Sequence, residues 1–104
     1  MQGPAFDNFI NSIKSKHSVV TYRNNLQLFM RFLGIPNPES LLGIIAEESI
    51  KKYIITMRNR VSSANLHNRI ASIYHFYDMN DVLLNKTKLS KFKGEFKKVK
   101  KDRA

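Results

Sequence analysis

A chain of 104 residues, 42% hydrophobic and 25% charged, has the length of one domain and enough apolar side chains for one core, which excludes an intrinsically disordered polymer. It holds no cysteine, so a disulfide framework and a thiolate zinc site are excluded, as suits a reducing compartment. Eighteen Lys and Arg against eight Asp and Glu leave a formal charge of +10, a field that favours polyanionic partners.

Taken in chain order, apolar spacing predicts helices throughout. Ala5, Phe6, Phe9, Ile10 and Ile13 recur at three- to four-residue intervals behind Pro4, which predicts a short first helix breaking near Ser15. Val19, Tyr22, Leu26, Phe29 and Leu33 form the next stripe, widened by Met30 and Phe32, while Lys16, Arg23, Asn24, Gln27 and Arg31 take the other side. Gly34 ends this helix, because glycine adopts a left-handed conformation at low cost, and Pro36 and Pro38 block its continuation. Residues 34–46 read as a connector with a helical turn at 39–42. Its apolar run is interrupted by Gly43 and falls far short of the roughly 20 apolar residues a membrane span requires. No apolar core of a signal peptide stands at the N-terminus, so a cytoplasmic chain is expected.

The third helix starts near Glu47, where two carboxylates suit the positive end of the backbone dipole, and buries Ile50, Tyr53, Ile54 and Met57. Arg58 and Arg60 suit its negative end. Ser62 or Ser63 caps a fourth helix with the stripe Leu66, Ile70, Ile73, Phe76 and Tyr77, and Asn65, Asn68, Arg69, Ser72 and His75 are expected on its outward face. After Asn80 and Asp81 comes a last helical piece anchored by Leu89, Phe92 and Phe96. The expected fold is therefore all-α, a compact bundle of four to five helices over residues 1–85, followed at 86–104 by a basic helix or linker. That last stretch holds nine basic residues against Glu95 and Asp102, so it carries +7 of the +10. By itself it reads equally as a solvated linker or a ligand-binding arm.

Catalysis would need clustered ligands, or an acid and a base facing each other. Of the three histidines, His67 and His75 lie eight residues apart on one helix, roughly 12 Å along its axis, too far to share a metal. Four scattered glycines make no phosphate-cradling loop, so no metal, cofactor or nucleotide is expected. Polyanion binding asks less. It needs donors on rigid elements, and the polar faces of the second and fourth helices supply Asn and Arg, which can read base edges in a major groove. Every soluble helix has a polar face, however, so composition leaves the question open.

A family resemblance bears on it. The run SKHSVVTYRNNLQLFMRFL from Ser15 to Leu33 resembles the second helix of the N-terminal core-binding, SAM-like domain of phage-integrase and Xer-type tyrosine recombinases. IAEESIKKYI from Ile45 to Ile54 is similar to that domain's third helix, and SSANLHNRIASIYHFY from Ser62 to Tyr77 to its fourth. KTKLSKFKGE from Lys86 to Glu95 looks like the connector ahead of the catalytic domain in archaeal integrase-like members. Ser18 and Asn65 stand where the family has Thr, and Asn68 where it has a basic residue; each remains a hydrogen-bond donor. The resemblance implies a domain that closes with the catalytic domain of the same parent chain as a clamp around double-stranded DNA, in DNA integration and recombination. It implies contacts from Lys14, Lys16, Ser18, Arg23, Asn65, His67, Asn68 and Arg69, with Lys97 and Lys98 in the basic segment. It further implies a chromosome-associated protein, monomeric in isolation and without catalytic residues of its own, since the tyrosine nucleophile and its Arg, Lys and His partners belong to the other domain.

Two other classes remain open. Leu89, Phe92, Phe96 and Val99, interleaved with lysines, could form an amphipathic helix that docks on an acidic partner or an anionic membrane surface. A small free-standing nuclease would need ligand clusters that the sequence does not offer.

Overall fold

The computed structural model describes residues 2–93. The expected anchor Phe96 and the expected contacts Lys97 and Lys98 lie outside these residues. Five α-helices are present: α1 (Pro4–Asn11), α2 (Lys16–Leu33), α3 (Ala46–Met57), α4 (Ser63–Asp78) and α5 (Lys86–Ser90). 3-10 turns at Pro38–Gly43 and Lys91–Lys93 complete the described chain, which holds no strand. The all-α expectation is met.

Local chemistry fixes the helix ends. Ser15 caps α2 through a bond from the Ser18 N–H, and Ser62 caps α4 through one from the Asn65 N–H. At Gly34 the chain turns left-handed (φ 72°), with the Gly34 N–H donating to the Arg31 carbonyl and the Ile35 N–H to that of Met30, a Schellman closure. The same pair of bonds recurs after α4, from Asp81 to Asp78 and from Val82 to Tyr77. There the left-handed residue is Asp81 (φ 61°), which a short polar side chain tolerates better than most. The start of α1 is capped from far away: the Ala5 N–H donates to Glu39 Oε2 at 2.6 Å. Gly3 is required beside it, both for its φ of 116° and because a Cβ there would meet the Glu39 carboxylate at 2.6 Å.

Phe9, Leu26, Phe29, Leu41, Ile50, Tyr53, Ile54, Leu66, Ile70, Ile73, Phe76 and Tyr77 form one core. Rings meet edge-on within it, Phe29 against Tyr53 at 5.2 Å and Phe9 against Phe76 at 5.7 Å, an arrangement that adds to simple area burial. The Tyr77 hydroxyl donates to the Leu41 carbonyl at 2.9 Å, which fastens the connector onto α4. Leu89 enters the same core from α5, and Phe92 packs against it.

Three expectations need correction. Arg58 does not serve the end of α3; its guanidinium donates to the Phe92 carbonyl at 2.7 Å and, with Lys51 above the Phe92 ring at 5.3 Å, holds 91–93 on α3. Ser72 and His75 do not face outward. Ser72 is fully buried and His75 half-buried, because α1 and α2 both pack on α4 and cover the flank that its apolar stripe leaves free.

Phe29→Ala should cost about 3–5 kcal/mol of unfolding free energy in a urea titration. Burial pushes the Tyr77 hydroxyl up from its ordinary value near 10, beyond the range reached in working buffers. Its neutral form is favoured in the fold while the unfolded chain ionises near pH 10, so stability present below that pH is lost as pH rises above it. The loss should approach about 1.4 kcal/mol per pH unit, and the urea midpoint of Tyr77→Phe, though lower at neutral pH, should fall less steeply between about pH 9 and about pH 11.

Candidate nucleic-acid interface

Two antiparallel helices build the site. The rings of Tyr22 on α2 and His75 on α4 lie 5.5 Å apart, and Asn25, further along α2, reaches back to Ser72 and Asn68, so residue numbers rise on one helix as they fall on the other. The seam between them is polar and internally satisfied. Asn25 Nδ2 donates to Ser72 Oγ at 3.0 Å and to the Asn68 carbonyl at 3.4 Å, and Ser72 Oγ donates to that same carbonyl at 3.1 Å. Pairing of this kind lets a buried hydroxyl escape the desolvation cost of an unmet polar group.

Outside the seam runs an open groove lined by His17, Ser18, Thr21, Tyr22, Asn25 and Asn68. It continues, through the shared Ser18 and Tyr22, into a hollow at the start of α2 lined by Ser12, Lys14, Ser15 and His75. At the back of that hollow Ser12 Oγ lies 2.6 Å from His75 Nε2. Ser12 Oγ also lies 2.8 Å from the Phe9 carbonyl, so the hydroxyl sits between that carbonyl and the imidazole. Among the described residues no group of three or more His, Asp and Glu could hold a metal ion.

The expected contact residues divide. Lys14, Ser18 and Asn68 come together along the groove. Lys16 and Arg23, seven residues apart, share a stripe of α2 roughly 160° around the axis from Ser18 and Asn25, so they point away from the groove and are not brought to it. Asn65 and Arg69 pair with each other, Nε to Oδ1 at 2.8 Å, and Arg69 then turns inward, its Nη1 donating to Tyr53 Oη at 3.2 Å and lying 3.8 Å from Met57 Sδ. Expected on an exposed face, Arg69 is half-buried and braces α4 against α3. His67 is exposed on α4 and does not line the groove. Thr21 and Asn25 were missed by the sequence reading, although Ser18, Thr21 and Asn25 keep helical i, i+3, i+7 spacing beside the apolar stripe.

Charge sorts along the chain. Residues 8–38 and 49–77, which include all of α2 and all of α4 but its last residue, contain nine Lys and Arg and no Asp or Glu. Carboxylates among the described residues gather where the starts of α1 and α5 meet the end of α4: Glu39 on the Ala5 N–H, Glu47 on the Asn85 N–H, Asp78 on Lys86 Nζ at 2.7 Å, with Asp7, Glu48 and Asp81 adjacent in sequence or in the same first turn. Asn80 closes that joint, donating to the Ala5 carbonyl and accepting from Asn8 Nδ2. The α2–α4 groove thus lies in the cationic part of the molecule. An anion entering it meets hydroxyls, amides and Lys14 with no carboxylate in its lining.

No family model, curated protein or solved structure matches the chain.

Because Arg69 bonds Tyr53 Oη at a half-buried site, Arg69→Ala should lower the urea unfolding free energy by about 1–2 kcal/mol, and Arg69→Lys, lacking the planar fork, should recover little of it.

Proposed function

We propose that the chain is a duplex-DNA-binding module that lays the α2–α4 groove against the nucleic acid. One observation carries this reading: the hydrogen-bonding groups of two antiparallel helices open side by side into a groove within the carboxylate-free stretches 8–38 and 49–77. Lys14 at the mouth of the groove suits a phosphate, while Ser18, Thr21 and Asn68 offer both donors and acceptors at a spacing fixed by the Asn25–Ser72 seam. In this reading Lys14 contributes a backbone contact, Lys16 and Arg23 lie on the face of α2 turned away from the DNA, and Arg69 positions α4 rather than touching DNA.

The finer proposal is that the module is the core-binding domain of a tyrosine recombinase. It rests on the order and spacing of the three resembling segments, and it assigns strand cleavage to a catalytic domain reached through the basic segment that starts at Lys86. The competing amphipathic-tail reading loses two of its four apolar anchors, since Leu89 is buried in the core and Phe92 packs on it.

Fluorescence anisotropy of a labelled duplex at increasing salt tests the binding reading. Affinity should fall linearly on a log–log plot, and Lys14→Ala should reduce the slope by about 1. Asn68→Ala and Thr21→Ala should weaken binding several-fold with unchanged unfolding midpoints. A flat salt response, or groove variants that bind like the parent chain, would overturn the proposal.

A further inference from the structure

Of the three histidines, His17 and His67 are exposed and His75 alone is half-buried. Its ring lies 5.8 Å from that of Phe9 and 5.5 Å from that of Tyr22, with Nε2 2.6 Å from Ser12 Oγ. These contacts hold the imidazole in the wall of the hollow that Ser12, Lys14, Ser15, Ser18 and Tyr22 complete. The helix end is not what the hollow offers a ligand, since the Ser18 N–H is already bonded to Ser15 Oγ. Its distinguishing feature is an imidazole beside an ammonium with no carboxylate in the lining. A protonated ring fits there without loss. Ser12 Oγ, placed between the Phe9 carbonyl and the ring, can accept from Nε2 and donate to the carbonyl, so both bonds survive proton uptake.

We propose that this hollow seats one phosphate of the duplex between Lys14 and a protonated His75, so that binding takes up a proton from solvent and tightens as pH falls. The inference rests on the DNA reading above and adds to it the group that senses pH. A charged ring in the wall attracts a phosphate and a phosphate favours the charged ring, so ligand and proton promote each other by the same factor. The groups around His75 leave the phosphate as its counter-ion. Phe9 and Ser12 come from α1 and its cap, and the carboxylate of α1, Asp7, stands in the first turn, beside the Asn8–Asn80 bond. The α2 side brings the Tyr22 ring, Lys14 and hydroxyls. On α4 itself Asp78 lies one turn beyond His75, but its carboxylate is paired with Lys86 Nζ at 2.7 Å.

Anisotropy of the labelled duplex with the full chain, repeated between about pH 8 and about pH 5.5, tests the proposal across the range in which histidine changes charge. Affinity should rise at least about fivefold on acidification, the lower end of ordinary couplings between two sites. The slope of affinity against salt on a log–log plot should steepen by about 1, as one added phosphate contact requires. His75→Gln keeps a side chain able to bond Ser12 but takes up no proton, so it should lose this gain with an unchanged circular dichroism spectrum. Whatever their effect at the alkaline end, His17→Gln and His67→Gln should keep it. Nuclear magnetic resonance of the parent chain needs no variant: the pH at which the His75 ring resonances shift should move upward when duplex is added, and inorganic phosphate in its place should move it less. Affinity indifferent to pH, a gain that survives in His75→Gln or vanishes in His17→Gln, or His75 resonances indifferent to duplex would sink the proposal, while salt-dependent binding at the alkaline end would leave the DNA reading standing. Inorganic phosphate acting as strongly as duplex would assign the hollow to a free anion and overturn the assignment to DNA. Duplex that fails to bind at any pH would remove both readings.

Discussion

A polar group taken out of water must be given a partner, and on α4 this constraint shapes the whole molecule. The helix is covered by α1, α2 and α3, and its apolar stripe is too narrow to fill every contact with hydrocarbon. The uncovered remainder is met by side chains from the neighbours: Asn25 for Ser72, Ser12 for His75, Tyr53 for Arg69 and the Leu41 carbonyl for Tyr77. Each such bond is worth little by itself but expensive to leave unmade, so together they dictate which neighbour sits where. One hydroxyl escapes the pattern. Tyr74 Oη is buried without a hydrogen-bond partner among the described residues, and its burial raises that group's pKa accordingly.

The division of charge follows from the same economy of partners. Carboxylates are spent on backbone N–H groups and on one lysine where three chain segments converge, which is where a helical protein has orphan donors to satisfy. With the acids committed there, α2 carries none, and its Lys16, Arg23 and Arg31 are exposed with no carboxylate on the same helix. A dipolar molecule results, and each end has its own chemistry.

How much of this was legible beforehand depends on whether a residue's fate is set locally. Helix limits were readable because Ser15, Gly34 and Ser62 act through bonds within one turn, and Leu26, Phe29 and Ile73 were readable because hydrocarbon at helical spacing has one destination. Ser72, His75, Arg58 and Arg69 were misplaced for the complementary reason. A polar side chain looks the same in sequence whether it meets water or another helix, and only the packing of α2 on α4, or of 91–93 on α3, decides between them. For the candidate site, Lys14, Ser18 and Asn68 came from residue chemistry together with a resemblance. Thr21 and Asn25 needed the neighbouring helix to reveal which flank of α2 forms a wall of the groove.

The bond from Arg58 to the Phe92 carbonyl does more than hold down the last turn of the described chain. It fixes an anchor point at a known place on the bundle, so anything joined beyond Lys93 is tethered from that point and not from the end of α4. Eleven residues drawn out fully reach at most about 40 Å. Loosening that guanidinium would free at most the 91–93 turn, because Leu89 stays seated in the core, so the anchor would retreat only to α5.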